Sequence, residues 1–245
     1  MSTPISIFMM DVSNSTSKFN WNEVTNYLNN LEKAIAEWTK NCPFSIVKHR
    51  KGDEILFIAE GYTTAYIIAY YTRLLWEYPE QPPYFGMTFG DVEEDPRKID
   101  IETWNHPLFK KTRMALETEK KIGRPKGISI HLHPSFFSLP LEIESFESTL
   151  NLLFELQCTL IEEQTPPQRT VCFLYSLFFE QKKIADLLQK TPATISNHFK
   201  KGKTKLITKT FSHILQLINK EETTTANIVK KQIILTHPLI RKELL

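Results

Sequence analysis

Two aspartates, Asp11 and Asp53, have the side-chain type and the position in sequence that metal chemistry requires. Asp11 ends a strand-like run in "FMMDVSNST", and Asp53 stands in "KGDE", between two further strand-like runs. Carboxylate oxygens are the ligands that Mg²⁺ and Mn²⁺ prefer, and two carboxylates can hold the metal ions of a phosphoryl-transfer site. If the fold brings them together, the two residues predict such a site, with Mg²⁺ or Mn²⁺ and a nucleotide as its cofactors.

The first 133 residues predict the elements that would bring the two aspartates together. Short apolar runs alternate with amphipathic stretches in an order typical of the split βαβ arrangement of ferredoxin-like and palm-like domains. The predicted elements are strands over 5–12, 44–50, 54–60, 84–89 and 127–132, and helices over 21–40, 63–78 and 106–121. In this arrangement the first strand lies antiparallel beside the third. We therefore expect Asp11 and Asp53 at one edge of the sheet.

Each aspartate also has an ordinary structural interpretation. Asp11 is suited to accept hydrogen bonds from backbone N–H groups near Ser13 or Asn14, and Asp53 suits a hairpin turn beside a glycine. The residues alone favour the turn interpretation, and with the expected pairing of the two strands the metal and turn interpretations are equally favoured. His131 and His133 alternate along a strand, but the sequence offers no third ligand near them, so a surface pair is the favoured interpretation.

After a proline-punctuated linker over 134–144, the residues from 145 onwards predict helices only. Within them, "QKKIADLLQKTPATISNHFKKGK" has the pattern of two short helices joined by a turn, which is typical of a helix-turn-helix. Thr191 and Pro192 suit the N-cap and first turn of its second helix. The apolar side chains that face one another across the turn are Ile184, Leu188, Ile195 and Phe199. A further apolar stripe over 204–220 suits either core packing or a dimer helix.

The second helix of this pair carries the side chains that we expect to contact DNA. Small and amide side chains reach base edges in a major groove, and lysines meet phosphates. The predicted DNA-binding residues are Thr191, Ala193, Thr194, Ser196, Asn197, His198, Lys200, Lys201 and Lys203. Residues 181–220 hold nine lysines and one aspartate, a net charge of +8, whereas the whole chain carries +2. This asymmetry favours a polyanionic partner over the alternative of a helical hairpin used only for packing or dimerisation.

The helical segment resembles the helix-turn-helix of sigma-factor region 4 and of LuxR-type regulators. The resemblance rests on the opening "TPPQ" and on "IADLLQKTPATIS", which match the "T-x-x-Q" and "IA-x-x-L … T-I-S" of those modules. It implies recognition of a promoter or operator by a dimer or larger assembly. The segment departs from the pattern at Gln189 and Lys190, where glycine and an aliphatic residue are more usual.

Residues 5 to 132 resemble the class III nucleotide cyclase domain. "DVSNST", "KGDE" and "FGMTFGDV" stand where that family has "D-I-x-x-S/T", a hairpin "G-D" and "G-I-x-x-G-x-V". The resemblance implies nucleotide binding at Asp11, Asp53 and Arg113, with both aspartates as metal ligands. The whole chain, with both segments in this order, resembles the SatD family.

Two departures from the cyclase pattern bear on activity. His49 stands where cyclases have a base-reading Lys or Glu, and Phe109 stands where they have an asparagine that assists the transition state. An apolar ring cannot donate the hydrogen bonds that stabilise developing charge. We therefore expect a domain that dimerises or binds a nucleotide, and assign no catalytic residue.

Bulk properties limit the class of protein. With 245 residues, of which 41% are hydrophobic and 24% charged, the chain has the composition of an ordinary globular protein. It has neither an apolar run of about 20 residues, as a bilayer span needs, nor the pattern of a signal peptide. Three widely spaced cysteines suit a reducing compartment, so we expect a cytoplasmic protein without a membrane partner.

The sequence thus predicts an α+β protein with three parts: a cyclase-like, ferredoxin-like domain over 1–133, a linker over 134–144 and a helix-turn-helix domain over 145–245. The expected function is that of a dimeric, DNA-binding transcriptional regulator. Its expected partners are double-stranded DNA, a second copy of the chain and a nucleotide. The alternatives are an active nucleotidyl cyclase or related metal-dependent phosphoryl-transfer enzyme, and a scaffold without a role on DNA.

Overall fold

The computed structural model describes residues 2–13, 21–50, 52–101, 103–121, 127–133, 140–219 and 224–240. These residues form an α+β structure in which a sheet is followed by helices. The elements, besides a 3-10 turn at Pro96–Lys98, are β1 (Thr3–Val12), α1 (Trp21–Thr39), β2 (Ser45–His49), β3 (Ile55–Glu60), α2 (Thr64–Leu75), β4 (Pro83–Val92), α3 (Pro107–Lys121), β5 (Ile128–Ile130), α4 (Pro140–Glu162), α5 (Pro166–Phe178), α6 (Gln181–Leu187), α7 (Pro192–Lys201), α8 (Thr204–Ile218) and α9 (Thr224–Thr236). No helix among the described residues has the length and apolar character that crossing a bilayer requires.

The five strands form one mixed sheet in the order β2-β3-β1-β4-β5. β1 is the central strand and runs antiparallel to both of its neighbours, so that Phe8 lies opposite Phe57 on β3 and Met87 on β4. β5 joins β4 in parallel. The predicted pairing of the first and third strands is therefore confirmed, and it places the end of β1 beside the start of β3.

Both faces of the sheet are buried, as the alternation along β1 shows. Ile5, Ile7 and Met9 contribute to a hydrophobic cluster that α3 covers. Phe8 and Met10 point to the other face and join a larger cluster with α1, α2 and the later helices. Since successive side chains of a strand point to opposite faces, an unbroken apolar run is what a strand covered on both sides requires.

The later helices share this larger core with the sheet. The ring of Phe211 on α8 stacks on Tyr70 of α2 with centroids 4.1 Å apart. The Tyr66 hydroxyl donates to Gln157 Oε1 at 2.8 Å, and Gln157 Nε2 donates to the carbonyl of Ile207 at 3.1 Å. The apolar stripe over 204–220 thus packs inside the chain, which is the first of its two predicted roles.

The first helix after the sheet begins earlier than the sequence predicted. α4 begins at Pro140, inside the stretch predicted as a linker over 134–144, and residues 134–139 lie outside the described residues. Prolines in the first turn of a helix lack only an N–H that has no helical partner there. Pro140 therefore marked a helix start as well as a break.

Side chains of α4 cover the outer edge of β5. Asn151 bonds both backbone groups of Ile130, accepting from its N–H at 2.8 Å and donating to its carbonyl at 3.1 Å. One turn earlier, Glu147 accepts from the N–H of Leu132 at 2.7 Å and contacts His131 Nδ1 at 2.8 Å. An edge strand otherwise presents unpaired backbone groups. These two side chains satisfy them and fasten the helices to the sheet.

Candidate functional site

An open cleft of about 730 Å³ lies where β1 ends and β3 begins. Met10 pairs with Ile55, so Asp11 and the hairpin before β3 meet at this edge. The lining residues are Asp11, Glu32, Lys48, His49, Arg50, Asp53, Glu54, Arg113 and Lys120. The fold therefore places all three predicted nucleotide-binding residues, Asp11, Asp53 and Arg113, around one cleft. Besides His49, four acidic and four basic side chains line it.

Asp11 is buried at the floor of this cleft, and both of its carboxylate oxygens have donors. Oδ1 accepts the N–H of Val12 at 2.8 Å, and Oδ2 accepts the ammonium of Lys120 at 2.6 Å. Burial, together with the negative charges of Asp11 and Asp53, raises the pKa of the Tyr84 phenol, which places both aspartates close to that ring. Asp11 thus combines a backbone hydrogen bond with a charged partner that the sequence did not indicate.

Lys120 supplies the positive charge beside Asp11. Burial by itself lowers the pKa of the ammonium, but its hydrogen bond to Asp11 and the charges of Asp11, Glu117 and Asp53 outweigh this and raise it. Lys120 stands seven residues after Arg113 on α3, so that both lie on one face of the helix. That spacing is the signal by which sequence reasoning could have found Lys120.

The side chains that line the cleft do not fit a site for a divalent metal ion. The Lys120 ammonium lies 2.6 Å from Asp11 Oδ2, the position a cation bound to that oxygen would take. No group of three or more His, Cys, Asp or Glu side chains among the described residues is arranged to hold a metal ion. The predicted metal ligands Asp11 and Asp53 therefore line one cleft, in which the cation beside Asp11 is the Lys120 side chain.

His49 connects α1 to the hairpin that carries Asp53. Its Nδ1 lies 2.8 Å from Asn29 Oδ1 on α1, and its Nε2 lies 3.1 Å from the carbonyl of Gly52. Gly52 has a φ of +105°, which favours glycine and fits the predicted tight turn. Because both ring nitrogens have protein partners, His49 has a structural role at the position where cyclases have a base-reading side chain.

Phe109 separates the two arginines of the cleft. The guanidinium of Arg50 lies 5.7 Å from the centroid of its ring, and that of Arg113 lies 5.9 Å from it. Arg50 also donates to Glu54 at 3.2 Å and to the carbonyl of Ile101 at 3.3 Å. Phe109 thus holds cations by its ring face instead of donating hydrogen bonds, as asparagine would. Arg113 is exposed and faces the cleft from this ring.

α6 and α7 pack against each other across a four-residue turn, at the place predicted from the sequence. Ile184 and Ile195 are buried between them, and Ala185 is 3% exposed where the helices come close. Gln189, in the turn, has a φ of +50°. Thr191 caps α7, since its Oγ1 accepts the N–H of Thr194 at 3.2 Å, as the sequence predicted.

The outer face of α7 presents most of the predicted DNA-binding residues to solvent. Half-buried among them are Thr194, Ser196 and His198, and the exposed ones are Thr191, Ala193, Asn197, Lys200, Lys201 and Lys203. Lys203 forms an ion pair with Glu163 at 2.8 Å, which draws it towards α4. Lys200 and Lys201 are therefore the more available of the three lysines for a phosphate backbone.

Comparisons with known proteins assign neither a family nor a function to this chain. No family model, no curated protein and no solved structure matches this chain.

Proposed function

We propose that this chain is a cytoplasmic, dimeric DNA-binding regulator of the kind that the SatD family resemblance implies. In this proposal α6 and α7 form a helix-turn-helix that enters the major groove with α7. The sheet segment is a ferredoxin-like, cyclase-related domain, an assignment supported by the strand order β2-β3-β1-β4-β5. It dimerises and binds a nucleotide in the cleft at Asp11, Asp53 and Arg113.

The exposed face of α7 carries the proposal. Its buried side holds Ile195 against α6, so the opposite side is left for a partner. That side offers Ala193 and Asn197 near the start of the helix, where a recognition helix contacts base edges, and Asn pairs well with adenine. Lys200 and Lys201 follow at the end, where they can meet the phosphate backbone.

Paired charge-removing variants test this assignment. Binding of labelled 30-base-pair duplexes would be measured by fluorescence anisotropy between 50 and 200 mM salt. The test variant is Lys200→Gln/Lys201→Gln. The control, Lys33→Gln/Lys40→Gln, removes two exposed lysines on and just after α1. Each lost phosphate contact lowers the salt slope by about one, so the first variant should lose about two units. Equal slopes for both variants would refute the assignment.

Asn197 tests base readout separately from phosphate contact. We expect Asn197→Ala to weaken binding to a preferred site about tenfold while the salt slope stays unchanged, because a bidentate amide contact contributes about 1–3 kcal/mol of base discrimination. Affinity for random duplexes should not change. A uniform loss on all sequences would show that Asn197 has no part in base readout.

A second candidate function is phosphoryl transfer on a nucleotide, for which a metal ion would have to displace the Lys120 ammonium from Asp11. The observation in its favour is that Asp11, Asp53 and Arg113 line one cleft. Product formation from ATP or GTP with added Mn²⁺, abolished by Asp53→Ala, would favour an enzyme. Nucleotide binding without turnover, weakened by Arg113→Gln, would favour the sensing role that we propose.

A further inference from the structure

A second cavity, of about 530 Å³, lies between α2, α4, α5 and the residues after α9. This volume is within the range of about 300–1,000 Å³ that is usual for small-molecule sites. Much of its wall is apolar and aromatic, formed by Leu74, Trp76, Phe173 and Leu239. It shares no residue with the cleft at Asp11.

Three polar side chains in the wall have atoms without a hydrogen-bond partner among the described residues. They are Arg169 through Nε, Gln164 through Oε1 and His237 through Nδ1. Gln164 is only 6% exposed, and its amide nitrogen is already bonded to the carbonyl of Gly202. Leaving a buried polar atom unpaired is unfavourable. A few polar side chains in a largely apolar wall are typical of a small-molecule site.

Arg169 has weak protein partners for its charge. It donates only to the carbonyls of Trp76 and Ile161, at 3.5 and 3.3 Å, beyond the usual distance of about 2.9 Å, and forms no ion pair with a described residue. The carboxylate of Glu162 is bound instead by Arg73, at 2.6 Å. Burial and the charge of Arg73 lower the pKa of Arg169, and the opposing charge of Glu162 offsets this only in part.

The other acidic side chain of the wall, Glu77, is exposed to solvent. Water screens an exposed carboxylate, so Glu77 opposes an anion in the cavity less than Arg169 attracts one. The planar guanidinium fork matches a carboxylate in two hydrogen bonds, which a half-buried position strengthens.

We propose that this cavity binds a small carboxylate with an apolar body. The carboxylate pairs with Arg169, and the apolar body lies against Trp76 and Phe173. This site is separate from the nucleotide cleft and does not depend on DNA binding.

Displacement of a fluorescent probe tests the proposal on the full chain. The probe is 1-anilinonaphthalene-8-sulfonate, an aromatic anion, and its competitors are 4-phenylbutyrate and the uncharged 4-phenylbutanamide. We expect saturable binding of one probe per chain and displacement by the carboxylate at concentrations at least tenfold lower than by the amide. Equal displacement by the two competitors would overturn the proposal.

Two variants connect the binding to this cavity. Arg169→Gln should weaken probe binding at least tenfold, while the control Arg97→Gln, which removes an exposed arginine of the 3-10 turn outside both cavities, should leave it unchanged. Thr170→Trp places a large side chain in the wall while Arg169 is kept, and should also abolish binding, which keeps the test informative if Arg169→Gln does not fold. Undiminished probe binding in a folded variant of either kind would overturn the proposal.

Discussion

Gln189 holds a backbone conformation that side chains with a Cβ seldom adopt. Its φ of +50° lies in the left-handed region, where a residue other than glycine costs about 1–2 kcal/mol. The turn requires this conformation, since the N–H of Lys190 bonds back to the carbonyl of Ala185 at 2.9 Å. The sequence marked this position only as one where helix-turn-helix proteins more often have glycine.

Gln189→Gly should therefore stabilise the protein. We expect the free energy of unfolding to rise by about 0.5–1 kcal/mol. The strain energy relieved in the folded state is larger than the entropic cost of ordering glycine, which has more conformational freedom in the unfolded chain. Urea denaturation followed by circular dichroism measures the change. The control Lys182→Gly, at an exposed helical position, should instead lose about 1 kcal/mol. A loss in both variants would contradict the strain at Gln189.

Lys120 determines which cation lies beside Asp11. In Lys120→Met the ammonium is absent, so the carboxylates of Asp11 and Asp53 become available to a divalent ion. We expect Mn²⁺ binding, read from the loss of the free-ion paramagnetic resonance signal, to be at least tenfold tighter in Lys120→Met than in the unaltered chain. The control Lys121→Met removes an exposed neighbouring lysine and should change nothing. Strong Mn²⁺ binding by the unaltered chain would contradict this account.

Elements and their order were predictable from the sequence, whereas contacts between distant elements were not. The apolar run around Phe8 and the helical period of α1 are local patterns, and the hairpin follows from Gly52. Adjacency of Asp11 and Asp53 then followed from strand order. The Lys120–Asp11 pair and the cavity at Arg169 depend on how α3 and α5 lie against other elements, which no local pattern specifies.

The position of α3 depends on Gly86. A Cβ added there would overlap the backbone of Thr112 and Leu116, which α3 places directly against β4. At Gly90 an added Cβ would meet mainly the side chain of Leu108, which can move. Because α3 carries both Arg113 and Lys120, this close approach also fixes the wall of the cleft.

Gly86→Ala should destabilise the protein by about 3 kcal/mol or more, since backbone cannot yield as a side chain does. Gly90→Ala, on the same strand, should cost clearly less. The two midpoints of urea denaturation make the comparison. Similar losses in the two variants would show that α3 is free to shift away from the sheet.

Glu147 makes the attachment of α4 to β5 dependent on pH. Burial by itself raises the pKa of its carboxyl, but hydrogen bonds from His131 and from the N–H of Leu132 outweigh this and lower it. The stabilisation is therefore present above the ordinary pKa of 4.5 and is lost as pH falls through the lowered value. Glu147→Gln should cost about 1.5–3 kcal/mol at pH 7, where the carboxylate is charged.

Thermal melts across pH 3 to 7 check this linkage. The difference in Tm between the unaltered chain and Glu147→Gln should shrink as the pH falls below about 4.5, where the carboxylate gains its proton. Glu144→Gln, an exposed change on the same helix, should show no such trend. A difference that stays constant down to pH 3 would mean that the charge of Glu147 is not what stabilises the contact.

At the scale of the whole molecule, the helical segment packs directly against the sheet segment. The α8 ring of Phe211 lies on Tyr70, and Gln157 links Tyr66 to the backbone of Ile207. Gln164 in turn bonds the carbonyl of Gly202 at the end of α7. The orientation of α7 is thereby tied to the body of the protein. In a dimer, the sheet segments would set the distance between the two recognition helices.

Capture of genomic DNA fragments by the purified full chain, at near-physiological salt and followed by sequencing, tests the central claim most directly. The account predicts a few enriched sites that share a two-fold symmetric motif, with half-sites about one helical turn (34–36 Å) apart, or a multiple of it. Lys200→Gln/Lys201→Gln should recover none of them. Uniform recovery that disappears as salt rises would show only a non-specific electrostatic attraction, and would contradict the assignment of α7 as a recognition helix.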